Sequence, residues 1–170
     1  MLLPQLTFRC FRLSAVNKIK EFIRKYGIRA EILEFKDTVE SVASASRASG
    51  VSKDKILKTL IVIAGSKPYA VILPGDKKLD FRSLAVVTGA EKIRLARHSE
   101  VINITGVKPG EVSPLTEDVK KLNIIVDESV LNKGEVLVGG GSLHHLVQVN
   151  VSELIRVLKP RIAAVGKSVD

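Results

Sequence analysis

The sequence predicts an α+β fold in which short helices surround a curved, mixed and mostly antiparallel sheet that is partly closed, like a barrel. Two β-branched runs, "ILKTLIVIA" (56–64) and "YAVILP" (69–74), are separated by the turn residues "GSKP", which is typical of a β-hairpin. Several short helical segments end in a glycine. The 170 residues, 45% of them hydrophobic, show no break in composition, so we expect a single domain over residues 1–170.

The N-terminal part begins with an amphipathic helix. Ser14 is a candidate N-cap and Gly27 ends an apolar stripe that consists of Val16, Ile19, Phe22, Ile23 and Tyr26. Four basic residues lie off this stripe and are expected to be exposed: Lys18, Lys20, Arg24 and Lys25. The alternating segment "AEILEF" (30–35) predicts a short strand, and an Ala/Ser-rich helix in residues 39–56 ends at Gly50.

The rest of the chain continues this alternation after the hairpin. The segment "PGDKK" predicts a turn, and "VKPGEVSPLT" predicts a loop. The remaining elements, in order, are the helix "LDFRSLAVVTG", the strand "KIRLA", the helix "HSEVINITG", the strands "NIIV" and "EVLV", a break at "GGGS", the strand "LHHLVQVN" and the helix "VSELIRVLK".

Basic residues outnumber acidic residues by 27 to 18, and most of the excess is N-terminal. Residues 1–29 contain Glu21 as their one acidic residue and seven basic residues: Arg9, Arg12, Lys18, Lys20, Arg24, Lys25 and Arg29. Such a surface suits contacts with a phosphate backbone, although a solvated face of a basic protein has the same composition. Because aromatic residues make up only 4% of the chain, we expect backbone contacts rather than base stacking.

Several classes of protein do not fit the sequence. No apolar segment approaches the roughly 18 residues of a membrane helix, and the N-terminus lacks the apolar stretch of a signal peptide, so we expect a cytoplasmic protein without a membrane partner. Cys10 is the single cysteine and is expected to be a small buried hydrophobe. His98 stands alone, while His144 and His145 point to opposite sides of their strand, so we expect no metal site.

Lys58 is the first candidate for function, because it lies within an apolar strand. It shares one face of that strand with Ile56, Leu60 and Val62, and the opposite face is also apolar, which indicates a central strand. Its ammonium either reaches water along the aliphatic side chain or meets an anion, since an unpaired buried charge is strongly unfavourable. The second alternative predicts a site for a phosphate, a carboxylate or a developing oxyanion.

Two glycine-containing segments are candidates to face Lys58. "TGVKPGEVSP" (105–114) contains two glycines and two prolines, and "VGGGSLHH" (138–145) contains three consecutive glycines. Glycine permits unusual backbone angles and lets a ligand approach main-chain N–H groups closely, although both segments are also compatible with ordinary turns. Neither segment is a Walker loop, and no Ser-His-Asp order is present.

Five segments carry a resemblance to a known family: "ASGVSKDKILKTLIVIAG", "YAVILPGDKKLDFRSLAVVTGAEKIRLA", "TGVKPGEVSPL", "IIVDESVL" and "GGGSLHHLVQVNVSEL". In this order, and over about residues 17–160, they are similar to the YbaK/EbsC/ProX family. These proteins are freestanding relatives of the editing domain that is inserted in bacterial prolyl-tRNA synthetases. The Lys-Thr-Leu of the strand and the Thr-Gly-x-x-x-Gly-x-x-Ser-Pro loop are the most specific parts.

The resemblance implies an aminoacyl-tRNA deacylase that acts on mischarged tRNA without a metal or another cofactor. It implies that Lys58 is the catalytic residue. The substrate-binding residues that it implies are Thr59, Thr105, Gly106, Gly110, Ser113, Pro114, Gly139, Gly140, Gly141, Ser142 and His144. The aminoacyl group stays open among cysteinyl, alanyl and prolyl types, because family members vary most in the glycine turn.

We therefore expect trans-editing of a small aminoacyl group on tRNA, with proline tRNA as the carrier and prolyl-tRNA synthetase as a candidate partner. The main chain of "GGGS" is expected to line the aminoacyl pocket, so that Gly140→Val would fill it or distort the loop. Two alternatives are a non-catalytic tRNA- or RNA-binding module and a structural or regulatory protein that keeps the fold. The sequence does not indicate an oligomeric state or a general base.

Overall fold

The computed structural model of the protein describes residues 14–169. These residues form six α-helices: α1 (Ala15–Lys25), α2 (Val42–Ser49), α3 (Phe81–Thr88), α4 (His98–Thr105), α5 (Glu117–Lys120) and α6 (Val151–Leu158). They also form ten strands: β1 (Ala30–Glu34), β2 (Leu57–Ala64), β3 (Lys67–Pro74), β4 (Lys77–Leu79), β5 (Ile93–Leu95), β6 (Asn123–Asp127), β7 (Glu135–Gly139), β8 (His145–Asn150), β9 (Arg161–Ala163) and β10 (Gly166–Ser168). The predicted α+β class is confirmed.

The strands of this region fall into three sheets and do not form a closed barrel. The largest sheet has the order β5-β2-β3-β6-β9, a second has the order β1-β8-β7, and β4 pairs with β10. Most pairs are antiparallel, but β3–β6 and β6–β9 are parallel. The mixed character that the sequence predicts is therefore confirmed.

Strand β2 has different neighbours along its length, which positions the site described below. β3 pairs with all of Leu57–Ala64. On the other side, Ile56 forms one parallel bridge with Leu137 of β7, and β5 pairs only with Val62–Ala64. Between these two points, the edge of β2 around Thr59 has no strand neighbour among the described residues.

The helix ends follow the sequence closely. The glycines that were expected to end α2, α3 and α4 have φ angles of 74°, 72° and 79°, a left-handed conformation in which glycine is favoured: Gly50, Gly89 and Gly106. The Ser14 side chain caps α1 by accepting a hydrogen bond from the Asn17 N–H. Four of the five residues of the predicted apolar stripe of α1 pack on the core: Ile19 and Phe22 are buried, and Ile23 and Tyr26 are partly buried.

The structure contains several short elements that the sequence did not predict. "PGDKK" was predicted as a turn throughout, but β4 begins at Lys77 within it. Helix α5 and strands β9 and β10 were not predicted, because elements of three or four residues carry no measurable periodicity. Cys10, Arg9 and Arg12 lie outside the described residues. Within residues 14–169, the helices are too short or too polar to cross a membrane.

A buried carboxylate holds the C-terminal strand in place. Asp127, at the end of β6, is 1% exposed and accepts hydrogen bonds from the main-chain N–H groups of Val165 at 2.9 Å and Gly166 at 2.8 Å. It also accepts hydrogen bonds from the N–H and hydroxyl groups of Ser129, and the Lys77 ammonium lies 3.7 Å away. These contacts connect β10 to the largest sheet and place it beside β4.

Candidate functional site

A cavity of about 320 Å³ opens where β2 and β7 separate. The loop before α5 and the N-terminal part of α2 complete its walls. The lining residues are Val39, Glu40, Ser41, Val42, Ala45, Ile56, Leu57, Lys58, Thr59, Leu60, Pro109, Gly110, Val112, Gly139 and Leu146. Of the residues that the sequence predicts for the site, Lys58, Thr59, Gly110 and Gly139 meet here.

Lys58 is the charged group on the β2 wall of this cavity. Its side chain is partly buried, and no carboxylate of residues 14–169 lies within 4.0 Å of its ammonium. Burial lowers the pKa of Lys58, the nearby charge of Asp76 raises it, and the charge of Lys78 lowers it further. The net pKa is below the ordinary value of lysine. The site therefore contains a partly desolvated cation with which an anionic ligand would form an ion pair.

The main chain of Thr59 adds a hydrogen-bonding edge to the same cavity. The Ile61 carbonyl accepts a hydrogen bond from the Ala96 N–H at 2.9 Å, on the side of β2 away from β3. Main-chain groups alternate in direction along an antiparallel strand, so the N–H and C=O groups of Thr59 point to that same side. There they face the gap between β7 and β5 rather than another strand of the described region.

Two glycines permit the close packing of the cavity walls. A Cβ atom on Gly139 would lie 2.2 Å from the carbonyl oxygen of Val112, which no side chain could tolerate without a backbone shift. A Cβ atom on Gly110 would lie 3.0 Å from the carbonyl oxygen of Glu40, a tight but milder contact. Glycine at these positions lets the loop approach both β7 and the segment before α2.

Four other predicted residues line a different cavity, of about 550 Å³, between α1 and α4: Thr105, Gly106, Ser113 and Gly141. The Thr105 hydroxyl donates to the Val101 carbonyl at 2.7 Å, and the Ser113 hydroxyl accepts from the Leu115 N–H at 3.2 Å. Both hydroxyls thus stabilise local turns. Lys18 and Asp118, 3.5 Å apart, also line this cavity.

The remaining predicted residues, Pro114, Gly140, Ser142 and His144, line neither cavity. A Cβ atom on Gly140 would lie 2.4 Å from the carbonyl group of His145, so Gly140 allows the close turn between β7 and β8. Of the two effects expected for Gly140→Val, filling of the pocket or distortion of the loop, this contact favours the distortion. The Ser142 hydroxyl lies 2.6 Å from Nδ1 of His145.

Helix α2 contributes a wall of the cavity that was not among the predicted site residues. Ser41, Val42 and Ala45 line the cavity beside Lys58, and Ala45 is 1% exposed. The Ser41 side chain caps α2 by accepting a hydrogen bond from the Ser44 N–H at 3.0 Å. The small residues of α2 indicate that another part of the chain packs closely against this helix. The local sequence does not indicate which part that is.

Comparison with known sequences connects this site to a family. Residues 36–157 match the family described as aminoacyl-tRNA editing domain. The chain is 32% identical over 117 residues to a proline–tRNA ligase of Endomicrobium trichonymphae, and 31% identical over 124 residues to that of Halalkalibacterium halodurans. These matches cover 68% and 72% of this chain but only 20% and 21% of the ligases, so the chain spans about a fifth of each relative.

Two solved structures share the fold over most of the chain. A hypothetical protein, APE2540, superposes with a TM-score of 0.82 at 33% identity, covering 88% of this chain and 99% of that protein. A candidate trans-editing enzyme for prolyl-tRNA synthetase superposes with a TM-score of 0.83 at 21% identity, covering 99% and 100%. The family match includes β2 with Lys58 and every wall of its cavity. The chain belongs to the aminoacyl-tRNA editing domain family.

Proposed function

We propose that the chain is a deacylase that hydrolyses the ester bond of mischarged aminoacyl-tRNA. The observation that carries this proposal is the Lys58 ammonium, which faces a cavity without a carboxylate partner among residues 14–169, in a chain of the editing-domain family. An ammonium with no carboxylate of residues 14–169 within 4.0 Å is suited to bind an oxyanion or a phosphate of the substrate.

The proposed reaction is the attack of water on the carbonyl carbon of the ester. The bond from that carbon to the ribose oxygen breaks, the water oxygen remains on the released amino acid, and the ribose oxygen takes up a proton. Negative charge develops on the carbonyl oxygen in the tetrahedral intermediate, and groups that are already oriented in a partly desolvated site stabilise it. Because the ester is already activated, the reaction needs no protein nucleophile.

Two groups of the β2 wall have the chemistry for this task. Lys58 supplies a positive charge, and the main-chain N–H of Thr59, which points away from β3, supplies a hydrogen-bond donor that is fixed by its strand. We assign Lys58 to the ester carbonyl or the terminal phosphate, and the main chain of the Pro109–Val112 segment to the aminoacyl group. A hydroxyl of the substrate ribose is the candidate that assists proton transfer.

The substrate class follows from the size of the cavity and from the relatives. A cavity of about 320 Å³ has room for a small aminoacyl group beside part of the terminal ribose. The proline–tRNA ligases among the relatives support proline tRNA as the carrier and prolyl-tRNA synthetase as a partner. We therefore assign cysteinyl, alanyl or a similar small aminoacyl group on proline tRNA as the substrate.

A deacylation panel tests the proposed function. Proline tRNA charged with cysteine, alanine or proline is incubated with the purified chain, and the released amino acid is compared with spontaneous hydrolysis. We expect acceleration for at least one small aminoacyl group. Salt-sensitive binding of tRNA without acceleration for any of the three would instead favour a non-catalytic binding module.

Gly110→Ala is expected to change the choice of aminoacyl group while the fold is kept. The added methyl group needs a shift of only a few tenths of an ångström from Glu40, and it narrows the exposed edge of the cavity. One methyl group changes discrimination by about 1–3 kcal/mol, so the ratio of kcat/KM for alanyl over larger aminoacyl groups should rise about tenfold or more.

Gly139→Ala is the matched comparison for this experiment. Its methyl group would displace Val112 and with it the loop wall, so turnover of all aminoacyl groups should fall together. Melting curves of both variants identify any general unfolding. An unchanged substrate ratio in folded Gly110→Ala would show that the aminoacyl group does not approach this edge.

Two exposed basic residues of α1 are expected to contact tRNA phosphates. Lys20 and Arg24 are exposed and lie one helical turn apart. In contrast, Lys25 is 2.8 Å from Glu117, and Lys18 is 3.5 Å from Asp118. We therefore expect Lys20→Glu with Arg24→Glu to weaken tRNA binding and to lower the slope of log K against log salt by about 1 to 2.

Lys25→Glu is the control, because its charge is already engaged by Glu117 at the protein surface. Such an exposed pair contributes about 0–1 kcal/mol to stability, so Lys25→Glu should lower stability slightly and should change the salt slope less than the double reversal does. The measurement is an equilibrium titration of fluorescent tRNA at several salt concentrations. A salt slope that the double reversal leaves unchanged would mean that this face of α1 is only solvated.

A further inference from the structure

Strands β4 and β10 hold two lysines directly opposite each other. Their antiparallel register pairs Lys78 with Lys167, and both residues are exposed. Side chains of directly opposite residues emerge on the same face of a sheet, about 5 Å apart at Cβ, where two like charges are destabilising. Within residues 14–169, neither ammonium has a carboxylate within 4.0 Å.

The neighbouring charges do not neutralise this pair. Lys77 points to the opposite face, where its ammonium is 3.7 Å from the buried Asp127. The charge of Lys167 contributes to the lowered pKa of Asp80. The Asp80 carboxylate, however, accepts hydrogen bonds from the N–H groups of Arg82 and Ser83 and thereby caps α3. Within residues 14–169, the outer face of the β4–β10 ribbon therefore carries two cations that have no carboxylate within 4.0 Å.

This lysine pair lies beside the Lys58 cavity. Lys58 is opposite Leu73 in the β2–β3 hairpin, and the chain then turns back toward the start of β2 before β4 begins. The Gly75 N–H fixes this turn by donating to the Ile56 carbonyl at 2.7 Å. Lys78 is close enough to Lys58 for the two charges to interact. A ligand bound at Lys58 would therefore lie within the range of the charge of Lys78, which the β4–β10 ladder pairs with Lys167.

Strand β10 is a feature of this chain beyond the segment that defines the family. The family match ends at residue 157, whereas β10 begins at Gly166. The hydrogen bonds from Val165 and Gly166 to Asp127 fix the position of β10, and the ladder with β4 fixes its register. The fold thus holds Lys167 against Lys78 in spite of the repulsion between them.

We propose that Lys78 and Lys167 bind phosphate groups of the 3′-terminal nucleotides of tRNA while the terminal ester lies at Lys58. This inference rests on the proposed function, since it assumes that the ligand of the Lys58 cavity is the end of an aminoacyl-tRNA. A phosphate between the two ammonium groups satisfies both charges and removes their repulsion. The flexible end of the tRNA would then be held on one side by Lys58 and on the other by this ribbon.

Salt-dependent binding of an uncharged proline tRNA transcript tests the proposal. Two lost phosphate contacts on a single-stranded end should lower the salt slope by about 1.4, at about 0.7 for each contact. We expect Lys78→Ala with Lys167→Ala to show this change and about tenfold weaker binding at moderate salt. The control is Lys67→Ala with Lys92→Ala, an equal change in net charge at exposed positions at the other end of β2.

A truncated transcript tests whether Lys78 and Lys167 contact the 3′-terminal nucleotides of the tRNA. Removal of the three 3′-terminal nucleotides should weaken binding to the wild-type protein and to the Lys67/Lys92 control more than binding to the Lys78/Lys167 variant, which keeps only the contact at Lys58. Equal losses in the two double variants, or losses from mutation and truncation that simply add, would overturn the proposal. Binding is measured without turnover, so a wild-type protein that fails to deacylate refutes the proposed function separately. Melting curves confirm that all variants are folded.

Discussion

Lys58→Met is expected to lower the deacylation rate constant about 10²- to 10³-fold, the usual effect of removing one group that stabilises an oxyanion. The same substitution is expected to leave the melting temperature unchanged or to raise it. Methionine matches the length and the apolar part of lysine but carries no charge to desolvate. Activity should therefore fall without a loss of stability, which a merely structural lysine would not show.

The direction of the stability change follows from the pKa of Lys58. Burial lowers this pKa in the folded protein, with a smaller contribution from Lys78, and Asp76 offsets part of the effect. Between the folded and unfolded pKa values, the unfolded chain binds more protons, so the free energy of unfolding rises as the pH increases through that interval. At pH values below this interval, the charged form therefore lowers the stability of the wild-type protein.

The measurement combines single-turnover deacylation with thermal unfolding at pH 7. Lys67→Met is the matched control, because Lys67 is exposed at the far end of the same hairpin and should change both quantities little. In the wild-type protein, turnover above the spontaneous rate should fall as the pH rises through the lowered pKa of Lys58. Retained turnover in folded Lys58→Met would refute its assignment as the catalytic residue.

Asp127→Asn is expected to lower the free energy of unfolding by about 3 kcal/mol, which corresponds to a fall in melting temperature of roughly 6–12 °C. The carboxylate accepts hydrogen bonds from Ser129, Val165 and Gly166, and it is 1% exposed. An asparagine amide has two donors on one side, so it must turn N–H groups toward the N–H groups that Asp127 now satisfies. Unpaired buried donors are the source of the loss.

This loss should depend on pH in a defined direction. Burial raises the pKa of Asp127, but the hydrogen bonds from Ser129, Val165 and Gly166 lower it more, so the net pKa is below the ordinary value of aspartate. A lowered carboxyl pKa contributes stability that is present above the unfolded pKa of about 3.9 and is lost as the pH falls through the folded pKa. The difference between wild type and variant should therefore shrink in acid.

Urea unfolding at pH 7 and at several pH values below about 4 measures both quantities. Asp118→Asn is the control: this partly exposed carboxylate forms ion pairs with Lys18 and Lys121 at 3.5 and 3.6 Å, so its loss should change stability by less than about 1 kcal/mol at any pH. A stability difference for Asp127→Asn that stays constant down to the lowest pH would show that the charge of Asp127 is not what holds β10.

Much of the secondary structure could be predicted because its signals are local. The β-branched runs around "GSKP" predicted the β2–β3 hairpin, since two strands joined by a two-residue turn need no distant contact to define their pairing. The glycines after α2, α3 and α4 predicted the helix ends, because a left-handed residue ends a helix wherever the helix lies. In contrast, β10 depends on Asp127, which is 39 residues away from Gly166, and no local pattern marked it.

The sequence by itself determined that Lys58 is a cation in an apolar strand, because strand periodicity assigns its face without knowledge of the neighbours. Only the tertiary structure decided which groups meet it. Thr59, Gly110 and Gly139 line the cavity of Lys58, whereas Thr105 and Ser113 line another cavity. Gly110 is separated from Thr105 and Ser113, although all three belong to the segment 105–114, because packing against distant parts of the chain fixes the path of that segment. The gap between β7 and β5 that opens this cavity arises from how two sheets diverge, a property of long-range pairing that no single segment encodes.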